Sequence, residues 1–365
     1  MDAVDSLYNL IEKGRSGLNV GLNIGLPKLQ SMTYGVQRQT YTLICGATGS
    51  GKTTLALYSY IYRVLNDNLG DMRYRILMFS MEMTQEILLA KLMSTYIWET
   101  YAIEINYNHI MSRQTTISED HYELVESCKP WLKAIMKQLT IIDRPVSSGE
   151  AYAALKNYAS RNGTETVGAN GKITYKPNIE GELVQIIVDH LGLAKISGNK
   201  SKKEEMDLFA NYLLSIRNIY AYSPLVLMQL NRTSSSMDRR NANMSEIELS
   251  DIKDTGTAAE AAELVLAIFS PWRVKQGKHQ DYNIRILQDH YRAIQILKSR
   301  LGESEKQVSV NFFGSVGTFK ELPPAEELNR LSEDQIRSRY TKLSGTPQNE
   351  IIIPPVQENK LVFKF

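Results

Sequence analysis

Residues 46–53 read GATGSGKT, a glycine-rich octapeptide closed by a lysine and a threonine. That spacing, G-x-x-x-x-G-K-[ST], suits one task. The glycines let the backbone curl until successive N–H groups converge on phosphate oxygens, and a helix N-terminus adds its partial positive charge. Gly46, Ala47, Thr48, Gly49, Ser50, Gly51, Lys52, Thr53 and Thr54 are therefore the candidate triphosphate residues. Lys52 would reach the β- and γ-phosphates, and the Thr53 hydroxyl would ligate Mg²⁺, making ATP with Mg²⁺ the expected ligands. A second carboxylate is needed on the metal. The run LVQIIVDH supplies it as Asp189 at the end of an apolar strand. The next residue, His190, is mostly neutral at pH 7 and a poor activator of water. The run ILMFSMEM, 76–83, also ends on a lone carboxylate, and Glu82 is the candidate base.

These residues need a scaffold that brings three distant segments to one edge. Apolar strand-like runs at 41–45, 75–80, 139–143, 184–189, 224–229, 264–269 and 292–298 are separated by helical patterns such as 84–98 and 204–222. Near-continuous apolar strands with helices between them predict an α/β fold, a mostly parallel central sheet flanked by helices. Such sheets bind ligands beyond the carboxyl ends of their strands, where 46–53, Glu82 and Asp189 would meet. A base on a separate strand from the metal aspartate marks a RecA-like P-loop NTPase.

At 365 residues and 43% hydrophobic, the chain is long enough to bury one large core with appendages. Its net charge of +2 supplies no global field demanding nucleic acid or an anionic membrane, so such contacts must come from local patches or from repetition in an oligomer. Two cysteines, Cys45 and Cys128, cannot build a cysteine-rich zinc site, and Cys45 reads as a small buried hydrophobe. Neither a secretory signal nor a run of membrane-spanning length is present, so a cytoplasmic, membrane-free setting is expected. Residues 1–19 predict a short helix with Val4, Leu7, Tyr8 and Ile11 as one stripe, which must dock on this subunit or on a neighbour. Residues 20–322 read as the ATPase domain, with an exposed hairpin inserted at about 161–178, and 323–365 as a polar tail with one helix at 332–343 and a final LVFKF.

Several motifs in series resemble the DnaB-type hexameric replicative helicases. They are GLNIGLPKLQSMTYGV (21–36) before the P-loop, FSMEM (79–83), IIVDHLGL (186–193), MQLNR (228–232), SDIKDTGTAAEAAEL (250–264) and ILKSRLG (296–302). The resemblance spans about residues 20 to 322 and implies an ATP-driven ring moving on single-stranded DNA and parting forked duplex. It makes Gln229 the γ-phosphate sensor at a strand end. Lys298 and Arg300 alternate along a strand, so both point one way. By resemblance they reach the ATP of the neighbouring subunit, Arg300 as the finger that neutralises transition-state charge, which implies a homo-hexamer with sites at subunit interfaces. The resemblance assigns Lys253, Asp254 and Gly256 to a DNA-tracking loop, with Asp254 holding the loop in shape. Two further basic loops contain Lys200, Lys202 and Lys203, and Arg239 and Arg240; six copies facing one pore would hold DNA on a chain of near-zero charge.

The family's N-terminal helical domain has no counterpart before residue 20, where the helix at 2–13 resembles the linker that docks on the next subunit. The implied partners are a loader, a primase or other replisome proteins, in a bacterial cytoplasm and in a phage or mobile-element setting. A RecA- or RadA-like recombination or branch-migration ATPase shares the core, but its RadA form carries a four-cysteine zinc module that two cysteines cannot build. A non-hydrolysing ATP-switched clamp would not need Lys52, Glu82 and Arg300 together.

Overall fold

The computed structural model describes residues 3–113, 115–168, 171–230, 247–252 and 256–343. Each of the seven apolar runs forms a strand of one sheet, and two further strands extend its edge. In chain order the strands are β1 (Thr42–Gly46), β2 (Tyr74–Ser80), β3 (Leu139–Ile142), the hairpin β4 (Gly163–Val167) and β5 (Ile173–Pro177), then β6 (Leu183–Asp189), β7 (Ser223–Gln229) and β8 (Leu264–Phe269). A two-residue pair, β9 (Lys278–His279) and β10 (Tyr282–Asn283), precedes β11 (Tyr291–Ser299), β12 (Lys306–Phe313) and β13 (Thr318–Glu321).

The main sheet runs β13-β12-β11-β8-β1-β7-β6-β2-β3. From β8 to β3 the pairing is parallel throughout, while β11, β12 and β13 close the other side antiparallel. The parallel strands are covered on both faces, which is why they lack polar alternation: β1, β6 and β8 are buried at every residue. Period-two alternation divides their side chains between two cores. Leu43, Cys45, Phe79 and Val188 face one; Ile44, Met78, Ile187 and Ile268 face the other.

The hairpin predicted at 161–178 is present and leans on the domain through Tyr175, whose ring meets Tyr220 and Tyr222 edge-on at 5.1 and 6.1 Å; Asn170 of its turn lies outside the described residues. Residues 323–343 of the expected tail pack on the domain, and the helix expected at 332–343 is present as Glu333–Tyr340. Leu328 and Ile336 are 3% and 4% exposed in the core, and Tyr282 Oη donates to the Pro323 carbonyl at 2.8 Å. The LVFKF segment lies outside the described residues. At the other end, the helix Ala3–Arg15 turns its apolar stripe outward: Val4, Leu7, Tyr8 and Ile11 are 60%, 55%, 65% and 47% exposed. Of the two docking options for that stripe, this subunit's own surface is not the one taken.

Candidate nucleotide site

β1 ends at Gly46, and the chain crosses the sheet edge in a loop whose apex, Ala47–Thr48–Gly49, is exposed. Glycine is required where the turn demands it. Gly49 and Gly51 sit at φ of 74° and 109°, a region side-chain-bearing residues avoid. At Gly46 an added Cβ would lie 2.6 Å from Ser50 Oγ and 2.7 Å from the Ile268 carbonyl. A helix then runs over 52–67, π-helical between Ala56 and Tyr62, so its free N–H groups face the loop. Lys52 is 8% exposed and bends back to donate to the carbonyls of Gly46 and Ala47 at 2.8 and 3.0 Å. Burial lowers its pKa, opposed by the nearby Asp189, Cys45 and Glu82.

The sheet brings the carboxylates to this edge. Ser80 pairs with Asp189 across β2 and β6, and Met81 N donates to the Asp189 carbonyl at 2.7 Å. Glu82 therefore leaves the sheet one residue beyond that contact and is exposed. Ser80, fully buried, shapes the turn: its hydroxyl donates to the Met83 carbonyl at 2.6 Å and accepts from Met83 N at 3.3 Å. On the other flank of β6, Gln229 ends β7 opposite Gly46 and is exposed at the edge. Lys52, Thr53, Glu82, Asp189 and Gln229 thus converge, as the sequence suggests.

Asp189 is 1% exposed, and burial raises its carboxyl to about 6 despite a hydrogen bond from Thr53. Its Oδ2 and the Ser50 hydroxyl are buried without a hydrogen-bond partner in the protein. Orphaned oxygens beside the Thr53 hydroxyl are what a hard cation with oxygen ligands fits. An unfolded aspartate ionises around pH 4, whereas the folded one does so only around 6. Ionising Asp189 therefore costs folding free energy, absent below pH 4 and full above pH 6. Asp189→Asn should raise stability by about 2–3 kcal/mol at pH 8 without divalent metal, and by nothing near pH 4, in urea unfolding followed by circular dichroism. Magnesium should narrow the gap by stabilising the parent.

Lys298 and Arg300 lie at the opposite edge. Ser299 pairs with Leu264, and Leu264 with Thr42, whereas the phosphate loop leaves β1 only after Gly46. Four residues of strand, about 13 Å, separate the two levels. A bulge between Ile296 and Lys298 breaks the simple alternation, and Arg300 falls beyond the strand end. Lys298 Nζ donates to the carbonyls of Ala259 and Glu260, both at 2.9 Å, capping the short helix Gly256–Ala261. Arg300 is 59% exposed at its side chain and stands 3.9 Å from Glu263.

The basic residues divide. Gly256 opens the helix that Lys298 caps, while Lys253, Asp254, Arg239 and Arg240 lie outside the described residues. Lys202 and Lys203, expected in a loop, form the first turn of the helix Lys202–Tyr220 behind a Ser201–Glu204 capping box. Lys200 holds Ser197 Oγ at 3.0 Å and faces Glu205 at 3.8 Å. These three are exposed at the edge that carries the phosphate loop.

Sequence reasoning missed two arginines. Arg292 on β11 is fully buried; its Nε donates to the Ser50 carbonyl at 2.7 Å, its guanidinium lies 4.6 Å from the Phe312 ring centre, and Nη2 is 3.0 Å from Asp289. Burial lowers it to about 10, so it stays charged at neutral pH. Arg273 binds the same Asp289 at 3.1 Å and lies so close over Gly49 that an added Cβ would overlap it. An arginine inside an apolar strand, as in RAIQILK, is the one signal in the sequence that pointed here.

A profile of the DnaB-like helicase C terminal domain matches residues 21–321. The chain belongs to the DnaB-like helicase family. A curated relative, a probable replicative DNA helicase of Trieres chinensis, is 24% identical over 287 residues, covering 77% of this chain and 54% of its own length. This chain thus spans about half the length of that relative. Among solved structures, an ATPase domain superposes with a TM-score of 0.67 at 19% identity, over 88% of this chain and 99% of that one. A DnaB-like replicative helicase studied with primase gives 0.64 at 18%, over 88% of this chain and 67% of that one. The fold is accordingly the RecA-like one expected for a DnaB-like ATPase domain.

Proposed function

We propose that this DnaB-like chain is the motor of a ring helicase, hydrolysing ATP to move along single-stranded DNA and part duplex DNA during replication. One observation carries the reading. The phosphate loop, Asp189 and Glu82 assemble at one sheet edge, while Lys298 and the exposed Arg300 lie at the other, beyond reach of their own site. The full set closes only when a second copy presents its far edge, so the working species is an oligomer. A ring of six is the family's form.

In that site the Gly46–Thr53 N–H groups and Lys52 hold the phosphates, and Gln229 stands beside Gly46 to register the γ-phosphate. Thr53 and Asp189 would hold a magnesium ion, which would supply positive charge to neutralise the phosphates. Glu82 orients the attacking water and accepts its proton, and Arg300 from the adjacent copy meets the charge that develops on the phosphoryl oxygens. Lys200, Lys202 and Lys203 would add to the DNA grip in six copies, together with Lys253, Gly256, Arg239 and Arg240. Primase and a loader are the protein partners this reading carries.

The test is displacement of a labelled strand from a forked duplex with MgATP, alongside substrates bearing a 5′ or a 3′ tail alone. Displacement needing a single-stranded tail supports the reading; ATP turnover stimulated by single strands without displacement at any protein concentration overturns unwinding. The outward stripe of the helix Ala3–Arg15 supplies a separate expectation. It is the surface that docks on the neighbour, so Leu7→Glu with Ile11→Glu should shift the assembly to smaller species by light scattering. Nucleotide binding by each subunit should be unchanged.

A further inference from the structure

His190 follows Asp189 off the end of β6, and its ring packs inward, 8% exposed. Its Nδ1 is buried with no hydrogen-bond partner in the protein, a costly state for a ring nitrogen. Gly192 and Lys202 border that nitrogen. An added Cβ at Gly192 would lie 3.1 Å from His190 Nδ1 and 3.9 Å from Lys202 Nζ, so the nitrogen and the ammonium flank one bare Cα. Lys202 opens the helix Lys202–Tyr220 and is exposed. Glu82 is the foremost charge acting on the ring, ahead of Lys52 and Lys202. The imidazole therefore has both the candidate base and an exposed lysine within electrostatic reach.

We propose that His190 is a positioning residue that holds Glu82 idle until a bound strand draws Lys202 away. This rests on the motor reading above and adds to it how DNA switches the base on. Burial lowers the ring's pKa, so at pH 7 it is neutral, with one acceptor and one donor nitrogen. Lys202 donating to Nδ1 fixes the tautomer, with the proton on Nε2. Nε2–H is then a donor for the Glu82 carboxylate, and a carboxylate that accepts such a bond is a weaker base toward water. A strand phosphate is a better partner for the ammonium than a neutral imidazole, because that bond is charged on both sides. Once Lys202 leaves, the proton passes through solvent to Nδ1, Nε2 becomes an acceptor, and Glu82 is released. Only the tautomer changes; the ring's charge does not.

The experiment measures MgATP turnover by the full chain with and without single-stranded DNA. His190→Phe keeps a ring of similar size and removes both nitrogens, and Lys202→Ala removes the donor. Each should raise the DNA-free rate by about tenfold, with the KM for ATP unchanged. The double variant should gain no more than either alone, because both changes break one chain of contacts. With saturating DNA, His190→Phe should turn over like the parent. A merely structural histidine would instead lower both rates together. Lys202→Ala, a surface change, still reports where His190→Phe does not fold. Unchanged or lower DNA-free turnover in either folded variant, or gains that multiply in the double variant, overturns the proposal. A parent that single strands do not stimulate overturns the motor reading itself, which separates the two failures.

Discussion

Replacing Arg300 with alanine should cut DNA-stimulated ATP turnover by about 10³–10⁵-fold while each subunit still binds MgATP. The magnitude follows from what a guanidinium does at phosphoryl transfer: it meets charge that exists only in the transition state, so removing it spares the ground state. The location supports action on a neighbour. Arg300 follows Ser299, which is level with the start of β1, while the phosphates bind past its end. Complementation tests this directly. Arg300→Ala subunits keep an intact phosphate loop, and Lys52→Ala subunits keep an intact Arg300. Mixed, adjacent pairs in the right order rebuild a complete site, so turnover should exceed the sum of the two variants alone. No gain on mixing would place the arginine's action within its own subunit and overturn the interfacial site.

Glu82→Gln should lower turnover by about 10²–10⁴-fold and abolish unwinding, with MgATP affinity and assembly unchanged. The amide preserves size and most hydrogen bonding but cannot take a proton from water. The turn built by Ser80 and Met83 would still present the residue beside Asp189. Single-turnover hydrolysis separates chemistry from product release, and the loss should appear in the chemical step. Normal turnover would place the base elsewhere; lost nucleotide binding would make Glu82 part of the cradle.

The positions of Glu82 and Asp189 at one sheet edge were legible in the sequence because each is tied to a local pattern, whereas Arg300 stood out only through the family resemblance. A buried parallel strand reads as an unbroken apolar run, so a carboxylate at its end stands out, and Glu82 and Asp189 were found that way. The phosphate loop is plainer still, since its backbone geometry imposes glycine at Gly49 and Gly51. β12 and β13 were missed for the converse reason. They are the outermost two antiparallel strands on one side of the sheet, with mixed exposure, and KQVSVNFF and TFKE carry neither a clean alternation nor an apolar run. The docking of residues 323–343 was missed too, although a helix at 332–343 was expected: a polar segment holds to the domain through the isolated side chains Leu328 and Ile336. Arg292 shows the limit of local reading. Its partner Ser50 is 242 positions away, and no periodicity encodes such a contact.

β11 joins two places that function keeps apart. Near its start Arg292 grips the carbonyl of Ser50 in the chain's own phosphate loop; near its end Lys298 braces the short helix that Gly256 opens, and Arg300 follows. A strand hydrogen-bonded on both sides over much of its length moves as a rod. A shift of the loop on filling or emptying would be delivered at the far end as a shift of Arg300, the proposed finger, and of the helix Gly256–Ala261. In the proposed ring each rod would begin under one nucleotide and end against the next, so the subunits would form a gear train, in which the phase of one sets the phase of its follower.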